Sequence, residues 1–98
     1  MRSRFVDDVD YVPIPLDIYV PDLSMWHRLA GAEDNEPSAS IFIAAQARLA
    51  KERIALENNT VDSKVSIEYR LGYINALKWL MSLPRSAREA LSKETNEA

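Results

Sequence analysis

The sequence predicts an all-α protein: an antiparallel two-helix hairpin with short flanking helices and an extended, proline-containing N-terminal arm. Apolar residues recur at helical spacing over residues 38–57 and again over 61–83, and the polar residues 58–60 between them suit a tight turn. Three prolines within residues 1–21 predict the arm, because proline lacks a backbone donor and favours extended geometry in the residue before it.

The predicted arm is rich in β-branched and aromatic residues, which favour an extended chain. Its apolar side chains are too numerous for a tail that stays in water, so we expect the arm to be ordered by contact with another surface. The residues expected to make that contact are Ile14, Leu16, Ile18 and Val20. The prediction favours a neighbouring subunit or a larger partner, and docking on the chain's own helices is the alternative.

A helical domain is predicted over residues 22–94. Asp22 is a suitable N-cap for a first short helix over 23–30, and Gly31 is a suitable C-terminal stop. Trp26 lies on the apolar side of this helix, where we expect it to fill a core or an interface.

The two hairpin helices are predicted over 38–57 and 61–83. We expect the second to end before Pro84, because proline cannot donate the next helical hydrogen bond, and a last short helix to run over 85–93. The first hairpin helix carries two apolar stripes and a polar side that includes Glu52. One stripe comprises Ile43, Ala47, Ala50 and Ile54, and the other comprises Phe42, Ala45, Leu49 and Leu56.

The second hairpin helix is apolar over most of its circumference, which indicates more than one packing partner. Gly72 and Ala76 lie one turn apart, and we expect another helix to approach them closely, with alanines of the first hairpin helix as possible contacts. The alternative is that the glycine is merely tolerated, at a cost of about 1 kcal/mol. Tyr69, Tyr73 and Trp79 are expected in the core or at an interface rather than stacked on bases or around a ligand.

No catalytic, cofactor or metal site is predicted. The chain has no cysteine, which excludes thiolate chemistry, disulfides and cysteine-bound zinc, and its two glycines exclude a glycine-rich phosphate loop. Its single histidine, His27, could form part of a base pair with Asp22, but nothing in the sequence suggests the nucleophile and the oxyanion-stabilising group that catalysis would also need, so a surface or helix-end histidine is favoured. The acidic cluster at 7–10 lacks the glycine turn of a shaped cation-binding loop, so a solvated arm is favoured. We therefore predict that the protein is not an enzyme.

Charge is divided unevenly along the chain. Residues 1–37 carry three arginines and eight acids, a charge of −5, whereas residues 38–98 carry +2. Basic residues are interleaved with acids and the net charge is −3, so a nucleic-acid partner is not expected. No apolar run is long enough to cross a membrane, and acid follows the first residues where a signal peptide needs an apolar stretch. The predicted location is a virion or a host cytoplasm.

The stretch Glu68-Tyr69-Arg70-Leu71-Gly72-Tyr73-Ile74-Asn75-Ala76-Leu77, followed by Leu83-Pro84, resembles the second helix of small helical-hairpin proteins encoded among the structural genes of tailed bacteriophages. The likeness extends over residues 38–84 and does not include the arm. It implies a small virion or assembly component, and it brings no catalytic residues with it.

Three functions follow from the sequence, in order of preference. The first is a structural or assembly protein that packs against copies of itself or larger virion proteins and is tethered by its arm. The second is a small phage-encoded module that regulates or inhibits a host protein. An enzyme is the third.

Overall fold

The computed structural model describes residues 4–15, 22–57 and 67–97, with the backbone alone for 94–97. All regular structure in these residues is helical, which confirms the predicted all-α class. The helices are α1 (Leu23–Ala30), α2 (Ser38–Glu57) and α3 (Ile67–Glu97). The bounds of α1 and α2 agree with the prediction. The predicted turn and the predicted first residues of the second hairpin helix lie outside the described residues.

Helix α1 begins and ends as its capping residues predict. The Asp22 carboxylate accepts a hydrogen bond from the Ser24 backbone N–H at 2.9 Å, which satisfies one of the donors exposed at a helix start. Gly31 is the C-cap, and its N–H donates to the Leu29 carbonyl.

Helix α3 is the longest element and carries the other two. Its 31 residues extend for about 46 Å, close to the longest dimension of the molecule, 53 Å. Helices α1 and α2 each pack against α3. The radius of gyration is 15.3 Å, larger than the roughly 13 Å of a compact domain of this length. The chain is therefore elongated, and much of each helix faces outward.

The prediction that Pro84 separates two helices is wrong, because α3 continues through it. Proline costs about 3 kcal/mol inside a helix. Pro84 is fully buried, and Met81 before it and Ala87 after it belong to two different core clusters, so packing on both sides keeps the helix continuous. The Ser82 hydroxyl also donates to the Lys78 carbonyl at 2.7 Å.

The first core cluster joins α2, the first half of α3 and the N-terminal arm. The side chain of Val6 in the arm is almost fully buried in it. The Phe5 ring stacks on the Phe42 ring with their centroids 6.4 Å apart. The buried members are Val6, Phe42, Ala45, Leu49, Ile74 and Met81.

The second core cluster joins α1, the second half of α3 and the arm. Ile14 and Ala87 are its buried members, and Trp26 and Leu29 of α1 pack against them. The Arg88 guanidinium ties the end of α1 to α3, because it donates to the Ala30 carbonyl at 2.9 Å and pairs with the nearly buried Glu33 at 3.0 Å. A cation at this point also suits the negative end of the α1 dipole.

Only one of the two stripes on α2 faces α3, and Glu52 lies with it. Glu52 is only 4% exposed, which corrects its assignment to the polar side. Its carboxylate pairs with Arg70 of α3 at 2.5 Å and with Arg48 at 3.0 Å, so the buried charge is balanced. Arg48 in turn lies over the Tyr73 ring. The antiparallel hairpin itself stays a prediction, because residues 58–66 lie outside the described residues.

Candidate interaction surfaces

The arm is held on α3 by two buried serines. The Val12 N–H donates to Ser82 Oγ at 3.0 Å, and the Ile14 N–H donates to Ser86 Oγ at 3.3 Å. Two residues of extended chain span about 6.6 Å and one helical step of four residues spans about 6 Å, so the two spacings match. Pro13 between them has no N–H to satisfy. Between Val12 and Ile14 the arm therefore has no backbone donor that lacks an acceptor on α3.

Acidic side chains of the arm meet basic side chains of the helices. Asp10 pairs with Arg53 of α2 and lies 3.9 Å from Lys78 of α3. Asp8 lies 3.0 Å from Arg85. The acidic arm and the basic helices of this chain are thus partners of each other. The expectation that the arm is ordered only by another subunit or partner is corrected for residues 4–15, which dock on their own helices.

Tyr11 of the arm contacts α3 through both its hydroxyl group and its ring. Its hydroxyl donates to the Glu89 carboxylate at 2.6 Å and lies 3.1 Å from Ser86 Oγ. The Arg85 guanidinium lies 4.0 Å from the centre of its ring, within cation–π distance. Burial and then the hydrogen bond to the Glu89 carboxylate raise the pKa of the Tyr11 hydroxyl above its ordinary value. These contacts hold one face and the hydroxyl end of this ring.

The interaction residues predicted in the arm and in α1 divide into two groups. Ile14 is buried in the second core cluster, and Trp26 is half-buried against it, so both serve the chain's own core. Leu16, Ile18 and Val20 lie outside the described residues.

The interaction residues predicted on α3 lie mostly on its solvent side, here called the outer face of α3 and defined by Tyr69, Gly72, Ala76 and Trp79. Tyr69 is 64% exposed and Trp79 is 41% exposed. Gly72 and Ala76 are exposed between them. Tyr73, at the edge of this face, is half-buried under the Arg48 guanidinium.

The expected close approach of α2 alanines to Gly72 is wrong. A Cβ atom placed on Gly72 would meet nothing within 4 Å. Ala44, Ala47 and Ala50 of α2 are themselves exposed. The space above Gly72 is therefore open among the described residues, and the glycine has no packing reason in the part of the core that they form.

A second exposed apolar surface lies on α2. It is the stripe of Ile43, Ala47, Ala50 and Ile54, here called the outer stripe of α2, in which both isoleucines are more than half exposed. This surface is absent from the predicted interaction residues. The signal was present in the sequence, because the spacing of four, three and four residues is that of a helix-packing seam.

No arrangement for catalysis or metal binding is found in the parts of the chain that the structure describes. Within these parts no three residues among histidine, cysteine, aspartate and glutamate lie close enough to hold a metal ion. His27 is exposed. Among the described helices, none combines the length and the apolar character needed to cross a membrane.

No protein-family model, no curated protein and no solved structure matches the chain. The interaction surfaces are therefore interpreted from their own geometry.

Proposed function

We propose that the chain is a non-enzymatic assembly protein, which binds other protein through the apolar outer sides of a helical hairpin formed by α2 and α3. One observation carries this proposal. Seven large hydrophobic side chains on these two helices are between 41% and 64% exposed: Ile41, Ile43, Ile54, Ile67, Tyr69, Leu71 and Trp79. Ile43 and Ile54 share one side of α2 with exposed alanines, and Tyr69 and Trp79 share one side of α3 with exposed Gly72 and Ala76. Exposed apolar patches of this kind mark contact sites.

The exposed side chains can supply a useful part of a binding free energy. Full burial of a large aliphatic or aromatic side chain is worth about 1.5–3 kcal/mol, so burying the exposed half of one contributes roughly 1 kcal/mol. Seven such side chains total several kcal/mol, which is comparable with the lower estimates of the cost of association. A partner that covers both helices is thus favoured over one that touches a single turn.

The more specific proposal is a minor component of a tailed-phage virion. The resemblance of residues 68–84 to phage hairpin proteins supports it, as does the elongated shape, which offers long helical sides to neighbours. The first part of the arm acts in this proposal as a clamp within the subunit rather than as a tether between subunits. The proposed location is the virion, with the host cytoplasm before assembly.

Quantitative mass spectrometry of purified phage particles tests the proposal. We expect the chain in a fixed copy number per particle, and we expect Trp79→Ser to reduce that number while the far-UV spectrum stays helical, because Trp79 is exposed. Lys93→Ser, also exposed but at the far end of α3, is the matched control and should leave the copy number unchanged. Absence of the wild-type chain from particles would contradict an assembly role.

The alternative is a phage-encoded regulatory module that binds a host protein. The closed core of the arm and three helices favours it, since an inhibitor has to fold as a monomer before it meets its target. Co-purification in a stoichiometric complex with one host protein, together with absence from particles, would support this alternative over virion assembly.

A further inference from the structure

We infer that the outer face of α3 binds a second copy of this chain, in an antiparallel pair related by a two-fold axis. The inference rests on the proposed assembly function and names the partner for one of its two exposed helices. It requires that the face be self-complementary, since in a two-fold contact the same surface occurs on both sides.

The outer face of α3 is symmetric in both spacing and size. Tyr69, Gly72, Ala76 and Trp79 follow each other at intervals of three, four and three residues. Read in either direction, the series is large, small, small, large. A two-fold axis midway between positions 72 and 76 places Gly72 of one copy against Ala76 of the other. The same axis places Tyr69 of each copy against Trp79 of its partner.

The centre of this face permits close approach of two helices. Gly72 and Ala76 have the smallest side chains, and the space above Gly72 is open, with nothing within 4 Å of a Cβ placed there. Two aromatic side chains flank this open centre on each copy. Tyrosine and tryptophan are the residue types most enriched among those that dominate binding at protein interfaces.

Glu68 is exposed beside this face, one turn before Gly72, and the two-fold axis places it against position 80, a leucine. Arg70 pairs with Glu52, and Lys78 approaches Asp10, so both cations are engaged on the inner side of α3. Between Tyr69 and Trp79 the remaining exposed positions are Leu71 and the uncharged Asn75. A second copy can therefore approach without opposing like charges across the contact, as the charge-poor centre of an interface requires.

The accessible surface of the chain is larger than that of a compact monomer of the same mass. The accessible surface of the chain is 6707 Å², whereas a compact monomer of 11.1 kDa has roughly 5,700 Å². The excess of about 1,000 Å² is spread over the whole elongated chain, and an interface of standard size buries roughly 800 Å² of each partner. The outer face of α3 covers about three helical turns, which is only part of that excess, so we expect a weak pair.

Sedimentation equilibrium of the full chain, from low micromolar to near-millimolar concentration, tests for the pair. We expect the mass to rise from 11.1 kDa toward twice that value. Gly72→Leu should keep the mass at that of one chain at every concentration, with a thermal midpoint no lower than that of the wild type, because leucine has open space in the subunit and none at the crossing. Ser92→Leu, at an exposed site near the far end of α3 and outside both exposed apolar surfaces, is the matched control and should still pair.

Disulfide capture tests the direction of the pair, since the chain has no cysteine of its own. Equal amounts of the Gly72→Cys and Ala76→Cys variants are mixed and mildly oxidised, and their intact masses identify each product. The antiparallel pair brings position 72 of one copy against position 76 of the other, so the mixed disulfide should dominate. Two copies of the same variant would place their Cα atoms too far apart for a bond.

Three results would overturn the inference. They are a mass that stays at one chain throughout, pairing that Ser92→Leu abolishes while Gly72→Leu does not, and same-variant disulfides that equal or exceed the mixed product. Each leaves the assembly proposal standing if the chain is still found in phage particles. Its absence from particles, by contrast, would contradict that proposal without affecting the measured pairing.

Discussion

Replacing Ser82 by alanine tests how the arm is held on α3. The Ser82 hydroxyl is fully buried, accepts the Val12 N–H at 3.0 Å and donates to the Lys78 carbonyl at 2.7 Å. Alanine leaves the partly buried Val12 N–H without an acceptor. The Lys78 carbonyl, by contrast, keeps the regular helical hydrogen bond from residue 82.

The expected loss is about 1–3 kcal/mol in the free energy of unfolding, the usual cost of leaving a buried donor unsatisfied. Alanine is a slightly better helix former than serine, which offsets a few tenths of a kcal/mol. For a chain of this length a loss of 1 kcal/mol lowers Tm by roughly 4–8 °C. Ser82→Ala should therefore unfold roughly 5–20 °C below the wild type.

Urea unfolding monitored by circular dichroism measures this loss, and amide hydrogen exchange assigns it. Ser92→Ala is the control, because Ser92 is exposed on the same helix. Exchange at the Val12 amide should accelerate more than exchange at Ile14, whose acceptor Ser86 is retained. If Ser82→Ala and Ser92→Ala differ by less than about 0.5 kcal/mol, the serine does not hold the arm and the reasoning is refuted.

Three further predictions concern the core and its charges. A chain that begins at Asp22 lacks the arm side chains buried in both clusters, so it should lose several kcal/mol and no longer unfold cooperatively; a truncated chain with an unchanged urea midpoint would contradict this. Glu52→Ala should lower the free energy of unfolding by about 3–5 kcal/mol, because Arg70 is left buried without its carboxylate partner. The control, Glu57→Ala at an exposed site, should lower it by less than about 0.5 kcal/mol. Equal urea midpoints for the two variants would contradict this. The pKa of Tyr11 is raised, so the folded chain holds the hydroxyl proton more tightly than the unfolded chain, and this contribution to stability is complete below the ordinary tyrosine pKa and is lost as pH rises through the folded value. Tyr11→Phe should therefore lose stability less steeply than the wild type above about pH 10. Equal slopes of unfolding free energy against pH in the two proteins would contradict this.

The helix bounds near caps could be predicted from the sequence, and the path through Pro84 could not. Asp22 and Gly31 act through their own immediate neighbours, so local chemistry is sufficient to place the ends of α1. Whether the helix continues through Pro84 depends on packing partners that lie more than 50 residues away in sequence. The arm and α1 pack around it, and their combined burial outweighs the local cost of proline.

The inner side of α2 could not be chosen from periodicity alone. Both stripes have similar apolar content, and the side that carries Glu52 looked polar. Only the position of Arg70 on α3 makes that carboxylate acceptable in the core, and sequence spacing does not reveal such a pair. For the same reason the stripe of Ile43 and Ile54 is an exposed surface rather than a core.

The surface on which the arm docks could not be predicted from the sequence either. The same acidic, apolar and proline-containing segment suits a neighbouring subunit or the chain's own helices equally well. The arm docks where hydrogen-bond acceptors have the same spacing as its Val12 and Ile14 N–H groups. The Ser82 and Ser86 hydroxyls on α3 have that spacing. Ser82 and Ser86 could not be recognised as the acceptors until the helix that contains them was known to continue through Pro84.

Covalent attachment of the arm has a consequence for competition. The docked segment belongs to the same chain as α3, with six residues of sequence between it and the cap of α1, so its local concentration near α3 does not fall when the protein is diluted. A separate protein that uses Ser82 and Ser86 has to displace a ligand present at that local concentration, whatever the dilution of the subunit. The arm therefore acts as a built-in competitor that reserves this side of α3, and it directs visiting proteins to the outer sides of α2 and α3.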